Sequence, residues 1–201
     1  MDKKTLLVGL GSFLLILLVG TAVFLFATPA GFRGTAYDKP YPVAPEFELT
    51  RSDGSNFRLS EMRGKVVVLF FGYTSCPDVC PTTMAKLKQA IAGLPSKDAD
   101  QVKVLFVTVD PKRDTPERVQ TYVSHFNPTF IGLSGTEAQL GQVWQAYGIY
   151  HLEVPGTSPD TYSVDHTARI TMIDRDGNMR VSSGFDVPVE DVVHDLELLL
   201  K

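Results

Sequence analysis

The 201-residue chain carries 19 Lys+Arg against 23 Asp+Glu, a formal net charge of −4, with 44% hydrophobic and 21% charged residues. That composition excludes wholesale disorder, and an acidic balance without any basic cluster excludes a nucleic-acid partner. Cys76 and Cys80 are the only two cysteines, too few for a disulfide-stapled scaffold, and their closeness asks for a chemical explanation.

Residues 5–32 hold no charge, and within them Leu6–Ala27 is a run of 22 uncharged, mostly apolar residues. At about 1.5 Å per helical residue the run reaches roughly 33 Å, enough to cross a ~30 Å hydrocarbon core. It exceeds the ~7–15 residues of a signal h-region, and Thr28-Pro29-Ala30 is a poor cleavage site. A single membrane helix is the expectation. Lys3 and Lys4 before it and Arg33 and Lys39 after it leave only a slight positive-inside bias. The start lacks an arginine-rich leader, which is bacterial rather than mitochondrial in style. The expected layout is a cytoplasmic start at 1–5, an anchor at 6–27, a Pro/Gly-rich tether at 28–45 and one domain at 46–201. The domain is read as extracytoplasmic, on a single-pass protein of the bacterial inner membrane.

Within the domain, Phe47 and Leu49, an Asp53-Gly54 turn, then Phe57 and Leu59 make a hairpin signature. Lys65–Phe71 and Val102–Val109 are short, continuously apolar runs, as strands buried on both faces require. Between them Met84, Leu87, Ile91 and Leu94 fall on one helical stripe over Pro81–Leu94. Strand, helix, strand makes a right-handed parallel unit. Thr115-Pro116-Glu117 opens a helix to about Phe126, and Thr136 with Gln139 is a capping box for the next. Leu152–Val164, with Pro155, Gly156 and Pro159, reads as a long loop. Ala168–Ile173 and Met179–Phe185 flank Asp176-Gly177 as a second hairpin, and Val189–Leu200 is an amphipathic last helix. The expected class is α/β, similar in element order to the thioredoxin fold, with an N-terminal hairpin and a long loop insertion.

Cys76-Pro77-Asp78-Val79-Cys80-Pro81 follows the first buried strand and opens a helix, where ligands of open α/β sheets bind. Unpaired N–H groups and the dipole at a helix N-terminus favour thiolate, which is both nucleophile and metal ligand. Were residues 76–80 helical, their Cα atoms would lie roughly 6.2 Å apart. A disulfide prefers about 5.5–6 Å. Two sulfurs on one metal sit ~4 Å apart, which suits this spacing somewhat better. Two thiolates and one imidazole satisfy a soft ion such as Cu(I). Of the four histidines, His125 and His194 lie in helices and His151 starts the long loop. His166 ends that loop just before a strand that lies beside the cysteine helix in a thioredoxin-like fold, and is the expected third ligand. Asp165 is a candidate to orient it. Met84 could offer a thioether, but it belongs to the core stripe.

Three motifs together resemble the Sco/SenC family of copper-binding cytochrome oxidase assembly proteins: Gly72-Tyr73-Thr74 before the cysteine segment, Asp110-Pro111-Lys112-Arg113-Asp114-Thr115-Pro116, and Val164-Asp165-His166-Thr167. The resemblance runs from about Pro45 to the end. It implies copper held by Cys76, Cys80 and His166, as Cu(I) with Cu(II) left open. It also implies an upstream copper donor and delivery to the binuclear copper site of cytochrome c oxidase subunit II. The alternative is a thiol–disulfide oxidoreductase that keeps the oxidase cysteines reduced, with Cys76 and Cys80 as its redox pair. Ordinary thioredoxins carry a cis-proline where this chain reads Asp165-His166-Thr167, which favours metal. For Asp110–Thr115 two roles are open: a self-stabilised strand-to-helix loop, or a docking surface.

Overall fold

Most of the segment expected as a tether is built into the domain. The computed structural model describes residues 13, 15–19, 21, 31–157 and 161–201, and its larger unit begins at Phe32. Thr35–Ala36 (β1) pairs antiparallel with residues 181–182. Val43 bridges Asn178, and Ala44 is buried with its N–H on the Gly177 carbonyl at 2.9 Å. The prolines of this stretch exclude helix, but they do not exclude a short edge strand, which proline tolerates nearby. Asp195, fully buried in the last helix, accepts hydrogen bonds from the N–H groups of Arg33 at 2.7 Å and Gly34 at 2.9 Å. Gly34 lies so close to Val181 and Ser183 that a Cβ there would collide with both side chains.

In the smaller unit, residues 1–31, the described positions Phe13, Leu15–Val19 and Thr21 are helical. The anchor expected over Leu6–Ala27 falls mostly outside the described residues. Among those described, no helix is long and apolar enough to cross a membrane.

Glu48–Thr50 (β2) and Asn56–Arg58 (β3) form the expected hairpin. Gly54 turns it at φ +80°, a region where only glycine is unstrained. Leu49 and Phe57 point into the core. Val66–Gly72 (β4) lies between two other strands of the sheet and is buried at all seven positions, on both faces. Each large apolar side chain withdrawn in this way contributes about 1.5–3 kcal/mol.

Val79–Gly93 (α1) follows, then the short Ser96–Ala99 (α2) and Val102–Thr108 (β5), parallel to β4. Thr115 caps Pro116–Ser124 (α3), and the Thr136/Gln139 box caps Glu137–Ala146 (α4). Between them lies Ile131–Leu133 (β6), a strand too short and too glycine-broken to read from sequence. Gly132 there allows the backbone of α3 to approach: a Cβ would sit 2.8 Å from Val119 and Gln120 main-chain atoms.

The long loop expected over Leu152–Val164 is a hairpin: His151–Pro155 (β7) pairs antiparallel with Tyr162–His166 (β8), His151 opposite His166. Pro155 and Gly156 mark the start of its turn region rather than an unstructured insertion. Arg169–Ile173 (β9), Met179–Gly184 (β10) and Val189–Leu200 (α5) complete the chain. The six-stranded sheet runs β1-β10-β9-β4-β5-β6, with β4, β5 and β6 parallel and the other neighbours antiparallel. Helix α1 packs on α5. The cysteine segment thus sits at the carboxyl end of the buried strand β4, where parallel sheets open their binding crevices.

Candidate metal centre

Cys76 lies before α1, not within it: Asp78 is the N-cap and Cys80 stands in the first turn. The Cα spacing of a continuous helix over residues 76–80 therefore does not apply. Instead the Cys80 N–H donates to Cys76 Sγ at 3.4 Å, so the Cys76 sulfur takes the place of a cap at a positive helix end. Both cysteines are free thiols, Cys76 half-buried and Cys80 fully buried. Gly72 makes the room for the deeper sulfur. A Cβ at Gly72 would meet Cys80 Sγ and Phe106 ring atoms at 2.9 Å.

His166 arrives from the hairpin, 86 residues further on, with Nε2 at 3.5 Å from Cys80 Sγ. The two sulfurs and the imidazole nitrogen all lie within 4.8 Å of one another, the one cluster of three or more Cys, His, Asp or Glu side chains among the described residues with the spacing to hold a metal ion. Tyr73 and Phe70 turn their rings edge-on to the imidazole at 5.8 and 6.4 Å. The His166 Nδ1 atom is buried and has no hydrogen-bond partner among the described residues. Asp165, the candidate to orient it, is instead exposed.

The remaining histidines are elsewhere. His151 lies tilted against Trp144 with ring centroids 4.0 Å apart, and His125 ends α3. His194 lies in α5 and is not a member of the cluster. Met84 is fully buried in the core, as its stripe implied. The centre opens into a cleft of about 370 Å³ lined by Tyr73, Cys76, Pro77, Asp78, Val164 and His166 among others. A larger hollow of about 510 Å³ beside Glu117 and His125 holds no thiol and no such cluster.

The two thiols share one proton unequally. The Cys80 hydrogen bond, against the opposing effect of burial, brings Cys76 down to about 3, with His166 and the N–H groups of Cys80 and Asp78 adding to it. The same hydrogen bond, burial and the Cys76 charge push Cys80 well above the ordinary thiol range. At neutral pH Cys76 is an accessible thiolate and Cys80 a buried thiol. Alkylation of metal-free protein by iodoacetamide is accordingly expected to change less than about twofold in rate between pH 5.5 and 7.5. An ordinary thiol gains about tenfold per pH unit there. A tenfold rise per unit would show that Cys76 is not held as thiolate.

The sequence left the role of Asp110–Thr115 open. In the structure it supports the cysteine segment from beneath. Asp114, fully buried, accepts from Thr74 N at 2.9 Å, Thr74 Oγ1 at 2.6 Å and Thr108 Oγ1 at 2.7 Å. Arg118 donates to Thr74 Oγ1 at 2.8 Å and Ser75 Oγ at 3.0 Å. Asp110 accepts from Tyr162 Oη at 2.7 Å, and burial with that bond pushes the phenol up to about 12. The dense acid–base content of the motif was its signal. Its partners, Thr74 and Tyr162, are distant in sequence and gave none.

Two soft sulfurs and an imidazole nitrogen, gathered at one sheet end with one thiolate preformed, suit a thiophilic ion of low coordination demand. The fold and the centre define a thioredoxin-like domain carrying a Cys-Cys-His cluster suited to a metal ion. Residues 35–201 match the SCO1/SenC family model. A SCO2-like protein of Rickettsia felis is 34% identical over 174 residues, 86% of this chain and 82% of that protein. The solution structure of apo Sco1 from Thermus thermophilus is 39% identical with a TM-score of 0.77, covering 86% of this chain and 99% of that one. Bradyrhizobium japonicum ScoI, solved with copper bound, is 38% identical with a TM-score of 0.70, covering 78% and 99%. The chain belongs to the SCO1/SenC family.

Proposed function

We propose that this protein is a membrane-anchored copper chaperone that takes copper on Cys76, Cys80 and His166 and delivers it to the binuclear copper site of cytochrome c oxidase subunit II. The observation that carries the reading is the three-donor cluster, two of whose members, Cys76 and His166, line the cleft. The copper-loaded relative at 38% identity supports copper as the metal. Copper is cargo here. One half-exposed sulfur gives an acceptor protein's thiolates a point of attack, while the buried sulfur and the imidazole retain the ion until they do.

His166→Ala tests the delivery reading. It removes one metal bond, but it leaves both sulfurs, whose exchange chemistry depends on thiol pKa and access. Copper retention should fall by more than the ~10–100-fold typical of losing an outer partner. Cells carrying the variant should assemble the oxidase poorly at limiting copper. Normal assembly there would reject delivery and promote the second reading, a thiol–disulfide reductase. The accessible Cys76 thiolate beside a protonated Cys80 favours that alternative: Cys76 would attack the substrate disulfide, and Cys80 would resolve the mixed disulfide, leaving two substrate thiols and one Cys76–Cys80 bond.

The apolar run Leu6–Ala27 supports an inner-membrane anchor with the domain extracytoplasmic. A reporter fused after Lys201 should then be active only outside the cytoplasm, and activity inside would refute the orientation.

A further inference from the structure

His166 is the one donor of the centre that does not come from the cysteine segment, and little holds its ring. Nδ1 has no partner among the described residues, Nε2 faces a sulfur, and two aromatic rings supply edge contacts only. The strand that carries it, β8, pairs with β7 alone, outside the six-stranded sheet. A two-stranded ribbon by itself is marginal in water. Something must tie it down if His166 is to meet the sulfurs.

The tie is visible at the other end of β8. Arg113 donates through Nε to Asp110 Oδ2 at 2.5 Å and through Nη1 to the Tyr162 carbonyl at 2.9 Å. Its guanidinium lies over the Tyr162 ring at 3.6 Å, and the Tyr73 ring stands at 5.7 Å. The Tyr162 hydroxyl returns to Asp110 Oδ1 at 2.7 Å, so each of the three residues touches the other two. Asp110 is buried and Arg113 mostly so, which places these charge-assisted bonds where solvent screens them least. The adjacent Lys112–Glu153 pair, at 2.6 Å, also joins loop to hairpin, but it is exposed and contributes little.

We propose that Asp110, Arg113 and Tyr162 form a clasp that positions His166 for copper by fixing the strand that bears it to the end of β5. These are positioning residues; none of them is a ligand. The inference rests on the three-donor reading of the centre. Arginine is required at 113 because one planar group must bond a carboxylate and a carbonyl and stack on a ring at once, which an ammonium cannot do.

The test is a double-mutant cycle on the full chain, reading Cu(I) affinity by competition with a chromophoric chelator. Arg113→Ala should weaken binding more than about tenfold in the wild-type background and less than about twofold in His166→Ala, because the clasp acts only through that imidazole. Arg113→Lys should fail to restore affinity. Equal losses in both backgrounds, or no loss in either, would overturn the clasp. If Arg113→Ala does not fold, Arg113→Lys and Tyr162→Phe run the same cycle. A second readout needs no metal: in the apo protein, the His166 ring proton resonances should shift and broaden in Arg113→Ala, and an unchanged ring spectrum would also overturn the proposal. That readout stands even if His166→Ala leaves copper affinity intact, a result that would count against the ligand set.

Discussion

Cys80→Ser is expected to cost Cu(I) affinity by well over the ~100-fold that marks the loss of an outer partner. It should also abolish disulfide reduction. A serine hydroxyl is a hard donor and offers a soft ion almost nothing. Serine keeps a hydroxyl that can donate to Cys76 as the Cys80 thiol does, so what is lost is the second soft donor and the resolving thiol. The wild-type protein carries a pH signature of the same arrangement. Cys76 has already lost its proton at neutral pH, whereas Cys80, pushed up, releases one when the ion binds. Between pH 7 and 8, therefore, log affinity should rise with a slope of about one. A slope near two, as for a pair of ordinary thiols, would show that the proton is not shared as described. Competition titrations across that range measure both outcomes.

The second large effect is on stability, at Asp114→Leu. The carboxylate is fully buried and accepts three hydrogen bonds from Thr74 and Thr108, with Arg118 Nε 3.8 Å away. Leucine strands all three donors and leaves Arg118 without its countercharge, a loss of about 3–5 kcal/mol for breaking a buried charged cluster. Asp114→Asn keeps one acceptor oxygen and removes the charge, and it should cost only about 1 kcal/mol. The pH dependence has a definite sign. Burial raises the Asp114 pKa above the unfolded value, so the group favours folding most below the unfolded pKa and progressively less as pH rises through the folded one. Asp114→Asn should therefore forfeit that low-pH advantage and cost more stability at pH 4 than at pH 7. Denaturant melts of the two variants at pH 4 and pH 7 decide this, and equal costs for Leu and Asn would show that the hydrogen bonds carry no weight.

The parts of this molecule legible in sequence were those with local causes. The buried strands β4 and β5 announced themselves as continuous apolar runs, the capped helices by Thr115 and by Thr136 with Gln139, and the turns by Asp-Gly pairs. The centre was legible too, because His166 stands where a thioredoxin-like fold returns to its cysteine helix. What escaped depended on distant partners. Strand β8 alternates half-buried Tyr162, buried Val164 and half-buried His166 with exposed Ser163 and Asp165. That period-two pattern was hidden behind Pro155, Gly156 and Pro159. Nothing near Arg33 or Gly34 hints that their N–H groups meet a carboxylate in the last helix. The cysteine spacing was worked out for one continuous helix, whereas the chain uses a sulfur to start one.

That meeting of first and last segments bears on how the domain can be cut. Asp195 is wholly enclosed, and the two donors recorded for it are main-chain groups near the start of the folded unit. A fragment begun at Glu46, the boundary that hairpin patterning alone suggests, would keep the carboxylate and discard both donors. It would also bare the outer edge of β10, which β1 now covers, and an uncovered edge is an invitation to pair with another chain. A soluble fragment for crystallisation or metal titration therefore starts no later than Phe32. One begun after Pro45 should be purified as a soluble oligomer or aggregate, whose copper stoichiometry would say more about its open edge than about its cysteines.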